Sequence, residues 1–183
     1  MPERKQIYGY TTTGDGTRVM KHDPLIGLIG DLDELNAALG VVRAYLPPNG
    51  ARQAEMVLSL QRDVFHWSAF ISGAPKTSSA IAIATTTAAL YASRQEMEQS
   101  LEPLRNFIIS GGSQTASFIH LARTVCRRVE RNLVATMAAV SGSVVKEKLL
   151  NLGEWLNELS NWLFVLARYA NWVEGRADIN VNG

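Results

Sequence analysis

The residues best suited to chemistry are the arginines of the segment from His120 to Val134. Arg123, Arg127 and Arg131 recur every fourth position, so on a helix they form one ridge. Arg128 is rotated about 100° from that ridge, and Glu130, seven residues after Arg123, returns to it. Like charges at this spacing repel by a few tenths of a kcal/mol, roughly 0.2–0.5 per pair. A polyphosphate would offset that, because guanidinium forks match phosphate oxygens and stay charged. A solvated basic face with local ion pairs is the other reading of the same spacing. Gly111-Gly112-Ser113 stands immediately before this helix. It reads either as an anion-binding helix start, with free backbone N–H groups and room for a ligand, or as an ordinary loop and cap. A second glycine-punctuated stretch, Thr11 to Thr17, offers hydroxyls for phosphate and Asp15 for a metal or ribose. It lacks the spacing of the common lysine-containing phosphate loop.

The elements that must position these groups are helical. Asp23-Pro24 is a helix start with Asp as N-cap, and Leu25, Leu28, Ile29, Leu32, Leu35 and Leu39 follow at helical spacing until Pro47-Pro48. A second helix is predicted from about Ala51 to Ile71, with Met56, Leu60, Val64 and Trp67 on one side. Residues 76 to 84 read as a loop, and a third helix runs from about Thr86 to Leu101. Phe107 to Gly112 is expected to be an extended connector. Ser113 caps a fourth helix reaching about Val140, whose core-facing ridge is Leu121, Val125, Val129 and Leu133. A fifth helix covers about Val144 to Val173. The predicted fold is all-α: an antiparallel five-helix bundle of the ferritin-like up-and-down type, one domain over residues 1–183. Residues 1–22 form a loop-rich N-terminal segment, and the tail 176–183 is loose.

Composition bounds the function classes. With 46% hydrophobic and 19% charged residues the chain is globular, and a net charge of +1 gives no support to a nucleic-acid or membrane-surface role. The single cysteine, Cys126, excludes an internal disulfide and suits a reducing compartment; beside Arg127 in mid-helix it reads as inert packing. Met1 to Lys5 lack a signal-peptide core, and no apolar run reaches the roughly 18 residues of a membrane helix, so a cytoplasmic location is expected. His22, His66 and His120 share no metal-ligand spacing, and no protein-held metal is assigned. Trp155 and Trp162 read as core or interface.

Four stretches carry a family resemblance: YGYTTTGD at 8–15, GDLDELNAALG at 30–40, FIISGGS at 107–113 running into ARTVCRRVER at 122–131, and LNELSNWLFVLAR at 156–168. In this order, over nearly the whole chain, the sequence resembles the PduO-type ATP:cob(I)alamin adenosyltransferases. The arginine stretch is the most specific part. The resemblance implies a homotrimer with ATP and cob(I)alamin bound between subunits, Mg²⁺ bridging phosphate oxygens, and transfer of the 5′-deoxyadenosyl group of ATP to cobalt with loss of triphosphate. Partners would be a cobalamin reductase and an adenosylcobalamin-dependent enzyme. By position, Thr11, Thr13, Gly14, Asp15 and Lys21 would line the nucleotide site from one subunit, and Arg123, Arg127, Arg128, Glu130 and Arg131 from its neighbour. Asp33 would pair with Arg123 across the boundary. Phe107 would keep the lower cobalt face free of a ligand, and Asn157 would be a site asparagine of the last helix. On the residues alone, Asp33 and Glu34 read equally as early-helix carboxylates, Phe107 as core, and Asn157 as a solvated helix residue. A corrinoid- or nucleotide-binding protein without turnover is the alternative on the same bundle. Two departures from the family pattern stand out. Gly14-Asp15-Gly16-Thr17 runs directly into Arg18, shortening the loop by about half a dozen residues against the family pattern. Glu158 and Asn161 replace the family's arginine and aspartate, with Glu158 expected to weaken an ion pair at the subunit interface.

Overall fold

A computed structural model describes residues 8–74, 83–138 and 142–182. Expectations for Met1 to Lys5, for most of the loop 76–84, for the fourth helix beyond 138 and for Gly183 lie outside the described residues. The helices are α1 (Pro24–Tyr45), α2 (Ala51–Ile71), α3 (Ile83–Glu98), α4 (Gln114–Met137) and α5 (Ser143–Val173). Asp23 caps α1, its carboxylate accepting from Leu25 N with Pro24 in the first turn. Ser113 caps α4 by accepting from Ala116 N. α3 begins three residues earlier than the sequence predicts and stops before Leu101.

The helices pack as an antiparallel bundle in which α1 touches α2 and α4, and α5 touches α4 and α3. Thr115 Oγ1 on α4 donates to Tyr45 O at the end of α1, so α4 starts where α1 stops. Asn36 and Gln61 bond in both directions between α1 and α2 (3.0 and 3.1 Å), which fixes that pair in register. The core holds Leu28, Leu32, Leu35 and Leu39 of α1, Leu60, Val64 and Trp67 of α2, and Trp155 and Trp162 of α5. Trp162 satisfies its indole N–H on Ser93 Oγ of α3 (3.1 Å).

Three expectations need correction. The N-terminal segment is not only loop: β1 (Tyr10–Thr12) and β2 (Arg18–Met20) pair antiparallel as a short hairpin. The C-terminal tail is not loose. Ile109 N donates to Ile179 O (2.8 Å) and Val181 N to Phe107 O (3.0 Å), so the tail pairs with the connector before α4 through an antiparallel bridge between Ile108 and Asn180. Leu121 is not core; it is 58% exposed, and the buried line of α4 is Ile119, Ala122, Cys126, Val129 and Leu133. A strict four-residue spacing drifts about 40° per step around a helix with 3.6 residues per turn, whereas alternating steps of three and four hold one face.

Candidate active site

That buried line fixes the rotation of α4 and turns the arginine ridge outward. The same 40° drift grades the ridge. Arg123 lies at the edge of the core, while Arg127 and Arg131 are exposed. Arg123 reaches Ser110 Oγ (3.4 Å) and lies over the Phe164 ring (5.8 Å), and its Nε is buried with no partner among the described residues. Burial, then the neighbouring Arg127 charge, lowers its affinity for a proton. Arg131 donates to Arg127 O (3.1 Å), which folds its side chain back along the ridge. Among the described residues no carboxylate pairs with Arg123, Arg127 or Arg131.

Arg128 behaves differently. It pairs with Glu34 on α1, and Asn132 donates to Asp31 one turn further on (2.7 Å), so two polar contacts latch α4 to α1. Asp33, between those carboxylates in sequence, is exposed, and no pairing with Arg123 forms within the chain. Glu130 is partly exposed and raises the Cys126 thiol's proton affinity from the next turn; burial is the larger cause, and the thiol is fully enclosed.

The Gly111-Gly112-Ser113 entry is an Asn171 clamp as well as a cap. Asn171 Oδ1 accepts from Ser113 N (2.8 Å) and Asn171 Nδ2 donates to Gly111 O (3.0 Å). Gly112 has φ +108°, and a Cβ there would fall inside the Asn171 amide, so glycine is required by both backbone and packing. Phe107 stands on the connector leading into this clamp and is 90% exposed, which removes the core reading of that residue. Deep beside Arg123, His120 is 3% exposed with neither ring nitrogen hydrogen-bonded among the described residues. Burial pushes its imidazole down to about 4; Arg123 adds to the effect and Asp178 opposes it.

The N-terminal hairpin closes tightly despite its short loop. Asp15 Oδ1 accepts from the Thr13 hydroxyl (2.5 Å) and from Thr17 N (2.9 Å). These two bonds, the hydroxyl's first, hold the exposed carboxyl below its usual range. Gly14 N donates to Ser72 O (2.7 Å), and a Cβ at Gly14 would press on Ser72 Oγ, so the loop is seated on the end of α2. Thr11 is partly exposed opposite Val19, and the Lys21 side chain is exposed.

The predicted residues therefore fall into two groups. Arg123, Ser110 and the Phe107 connector meet near the start of α4. Thr13, Gly14 and Asp15 sit at the far end, where α2 stops and α1 begins. Asn157 and Asn161 are exposed on α5. Glu158 meets Arg94 of α3 within the chain (2.7 Å), with Glu98 on the same guanidinium (2.9 Å), so its charge is paired inside one chain as an α3–α5 contact. Sequence reasoning missed Asn171, Arg168 and Phe164. Arg168 and Asn171 have one signal, that they interrupt the apolar run from Trp162 to Val173; Phe164, inside that run, has none.

Comparison with known proteins bears on this geometry. The family model described as cobalamin adenosyltransferase matches residues 5–170. A cobalamin adenosyltransferase of Cupriavidus metallidurans is 37% identical over 172 residues, covering 93% of this chain and 88% of the relative. The corrinoid adenosyltransferase PduO of Citrobacter freundii is 34% identical over 170 residues; 87% of this chain aligns, and it spans about half, 48%, of that relative. Among solved structures, a variant PduO-type ATP:corrinoid adenosyltransferase of Lactobacillus reuteri complexed with cobalamin and ATP superposes with a TM-score of 0.85. It is 25% identical, over 96% of this chain and 95% of that one. On the family match over residues 5–170 and these relatives, the chain belongs to the cobalamin adenosyltransferase family.

Proposed function

We propose that this protein is an ATP:corrinoid adenosyltransferase, moving the 5′-deoxyadenosyl group of ATP to the cobalt of cob(I)alamin and releasing triphosphate. The observation that carries the reading is the ridge of Arg123, Arg127 and Arg131, three guanidiniums in a row with no carboxylate on them among the described residues, beside a paired Arg128. A row of unneutralised like charges costs the free protein stability and becomes favourable when a polyphosphate lies along it. In the reaction the Co(I) electron pair forms a bond to the 5′ carbon, the carbon–oxygen bond to triphosphate breaks, and its electron pair leaves on the triphosphate. The attacking group is the corrinoid itself, so the protein needs no nucleophile or general base. Its work is to align the two substrates and to neutralise the leaving group.

In this reading Arg123, Arg127 and Arg131 hold the phosphates, with Arg128 and Glu130 on the same helix bordering them. Thr11, Thr13, Gly14, Asp15 and Lys21 close over the nucleotide from a second copy of the chain. The hairpin is seated on the end of α2 while the ridge lies on α4, which packs on α1 and α5, and this separation supports a site completed between subunits of a homotrimer, with Asp33 of one copy meeting Arg123 of the next. Mg²⁺ would arrive with the nucleotide, Asp15 would be the carboxylate that holds it, and it would add positive charge to the leaving triphosphate. Asn157 borders the site from α5, and Phe107 takes the lower cobalt face. The whole chain, residues 1–183, serves as one adenosyltransferase domain.

The test is an anaerobic assay with ATP and chemically reduced cobalamin, read by the spectral change on adenosylation. Turnover with release of triphosphate is expected. Tight ATP binding without turnover would overturn it and return the chain to a corrinoid or nucleotide carrier. Sedimentation of a monomer under assay conditions would overturn the intersubunit site.

A further inference from the structure

The connector that carries Phe107 runs from Glu102 to Gly112 and is exposed along most of its length, so its own packing does not hold it. It is held from outside at three points. At its start, Arg168 of α5 donates to Glu102 O (2.7 Å). At its end, Asn171, three residues on and so on the same face of α5, clasps Gly111 O and Ser113 N. In its middle the tail strand bonds Ile109 N and Phe107 O through Ile179 and Val181. The tail is itself tied to α5 by Arg168, whose Nε donates to Asp178 Oδ2 (2.7 Å). Arg168 is 7% exposed, so this guanidinium is a buried charge whose fork is shared between the connector and the tail.

We infer that Arg168 is a positioning residue for adenosyl transfer, and that residues 178–181 are the strand that holds Phe107 against the corrinoid. The inference rests on the reading of Phe107 given above. Phe107 is 90% exposed, and among the described residues its one hydrogen bond is that of its backbone carbonyl to Val181 N. Loss of the Val181 N–H would free that carbonyl without touching any core side chain.

The experiment uses the full-length protein with ATP and cob(II)alamin and reads the fraction of bound cob(II)alamin lacking a lower axial ligand, by electron paramagnetic resonance, together with KM for each substrate. Val181→Pro removes the donor to Phe107 O on an exposed residue. Losing one hydrogen bond from the held state should lower the ligand-free fraction and kcat by roughly fivefold, with KM for ATP within about twofold of wild type. Val181→Ala keeps the N–H and should restore the wild-type spectrum. Arg168→Met should reproduce the Val181→Pro signature with unchanged helical circular dichroism; if it does not fold, Val181→Pro still decides. A normal ligand-free fraction in Val181→Pro, alongside a reduced one in Phe107→Ala, overturns the tail strand's role. A normal fraction in Phe107→Ala overturns the reading of Phe107 itself.

Discussion

Arg127→Ala separates the two readings of the arginine ridge. In the free protein Arg127 is exposed, lies between Arg123 and Arg131, and has no carboxylate partner among the described residues. Removing it relieves two like-charge neighbours worth roughly 0.2–0.5 kcal/mol each, so stability should be unchanged or slightly higher. Its backbone carbonyl, which receives Arg131, is retained. If triphosphate lies on the ridge, the same substitution deletes a charge-assisted hydrogen bond worth about 1.5–3 kcal/mol of ATP binding, or roughly 10- to 150-fold in Kd. Arg128→Ala is the internal comparison. It breaks the Glu34 pair, a half-exposed contact worth about 0–1 kcal/mol of stability, and should weaken ATP less than Arg127→Ala does. Anaerobic calorimetry gives both affinities, and urea unfolding gives both stabilities. An Arg127→Ala protein that binds ATP within twofold of wild type would return the ridge to a solvated basic face.

Other consequences can be checked on the protein without substrate. Arg94→Ala strands Glu158, whose side chain is only 13% exposed, and should cost roughly 1–3 kcal/mol; Arg94→Ala with Glu158→Ala should recover part of that, and strict additivity would refute the pairing. Gly112→Ala forces a side chain into φ +108° and into the Asn171 amide, so a loss of at least about 1–3 kcal/mol is expected in denaturant unfolding, and a neutral result would refute the clamp. His120 is held neutral, its imidazole pushed from 6.5 to about 4 by burial. Between those two values the unfolded chain binds more protons, so stability falls as pH drops through that window and this group has no effect above it. The ceiling is about 3 kcal/mol at 1.36 kcal/mol per pH unit. His120→Phe should flatten the acid limb, and an identical limb in both proteins would rule the assignment out.

Much of the bundle was legible because its signals are local. Asp23-Pro24 and Ser113 mark helix starts through bonds that span two or three residues, and the leucines of α1 repeat within one face. The arginine ridge was legible for the same reason. The rest is set by partners far away in the chain. Glu158 looks like a lost charge until Arg94, 64 residues earlier, is beside it. The tail reads as loose because its bonds go to a connector some 70 residues away, and three-residue strands are too short to show alternation. Leu121 falls outside the core because a four-residue ladder drifts around a helix, and the same drift sinks Arg123 to the edge of the core. Arg168 and Asn171 gave no sign of their role, since a polar residue in an apolar helix announces a partner without naming it.

The enclosure of Cys126 has a practical consequence. It is the chain's one thiol, it is fully buried, and it bonds Leu156 O across the α4–α5 contact (3.3 Å). A maleimide can reach it only when those two helices part, so the labelling rate clocks the opening of the bundle. The same clock should slow when ATP fastens onto α4, because a ligand that binds only the closed form makes opening rarer by the factor 1 + [ATP]/Kd. With no engineered site, labelling rates without ATP and across an ATP series would then read the strength of the bundle and the affinity of its ligand.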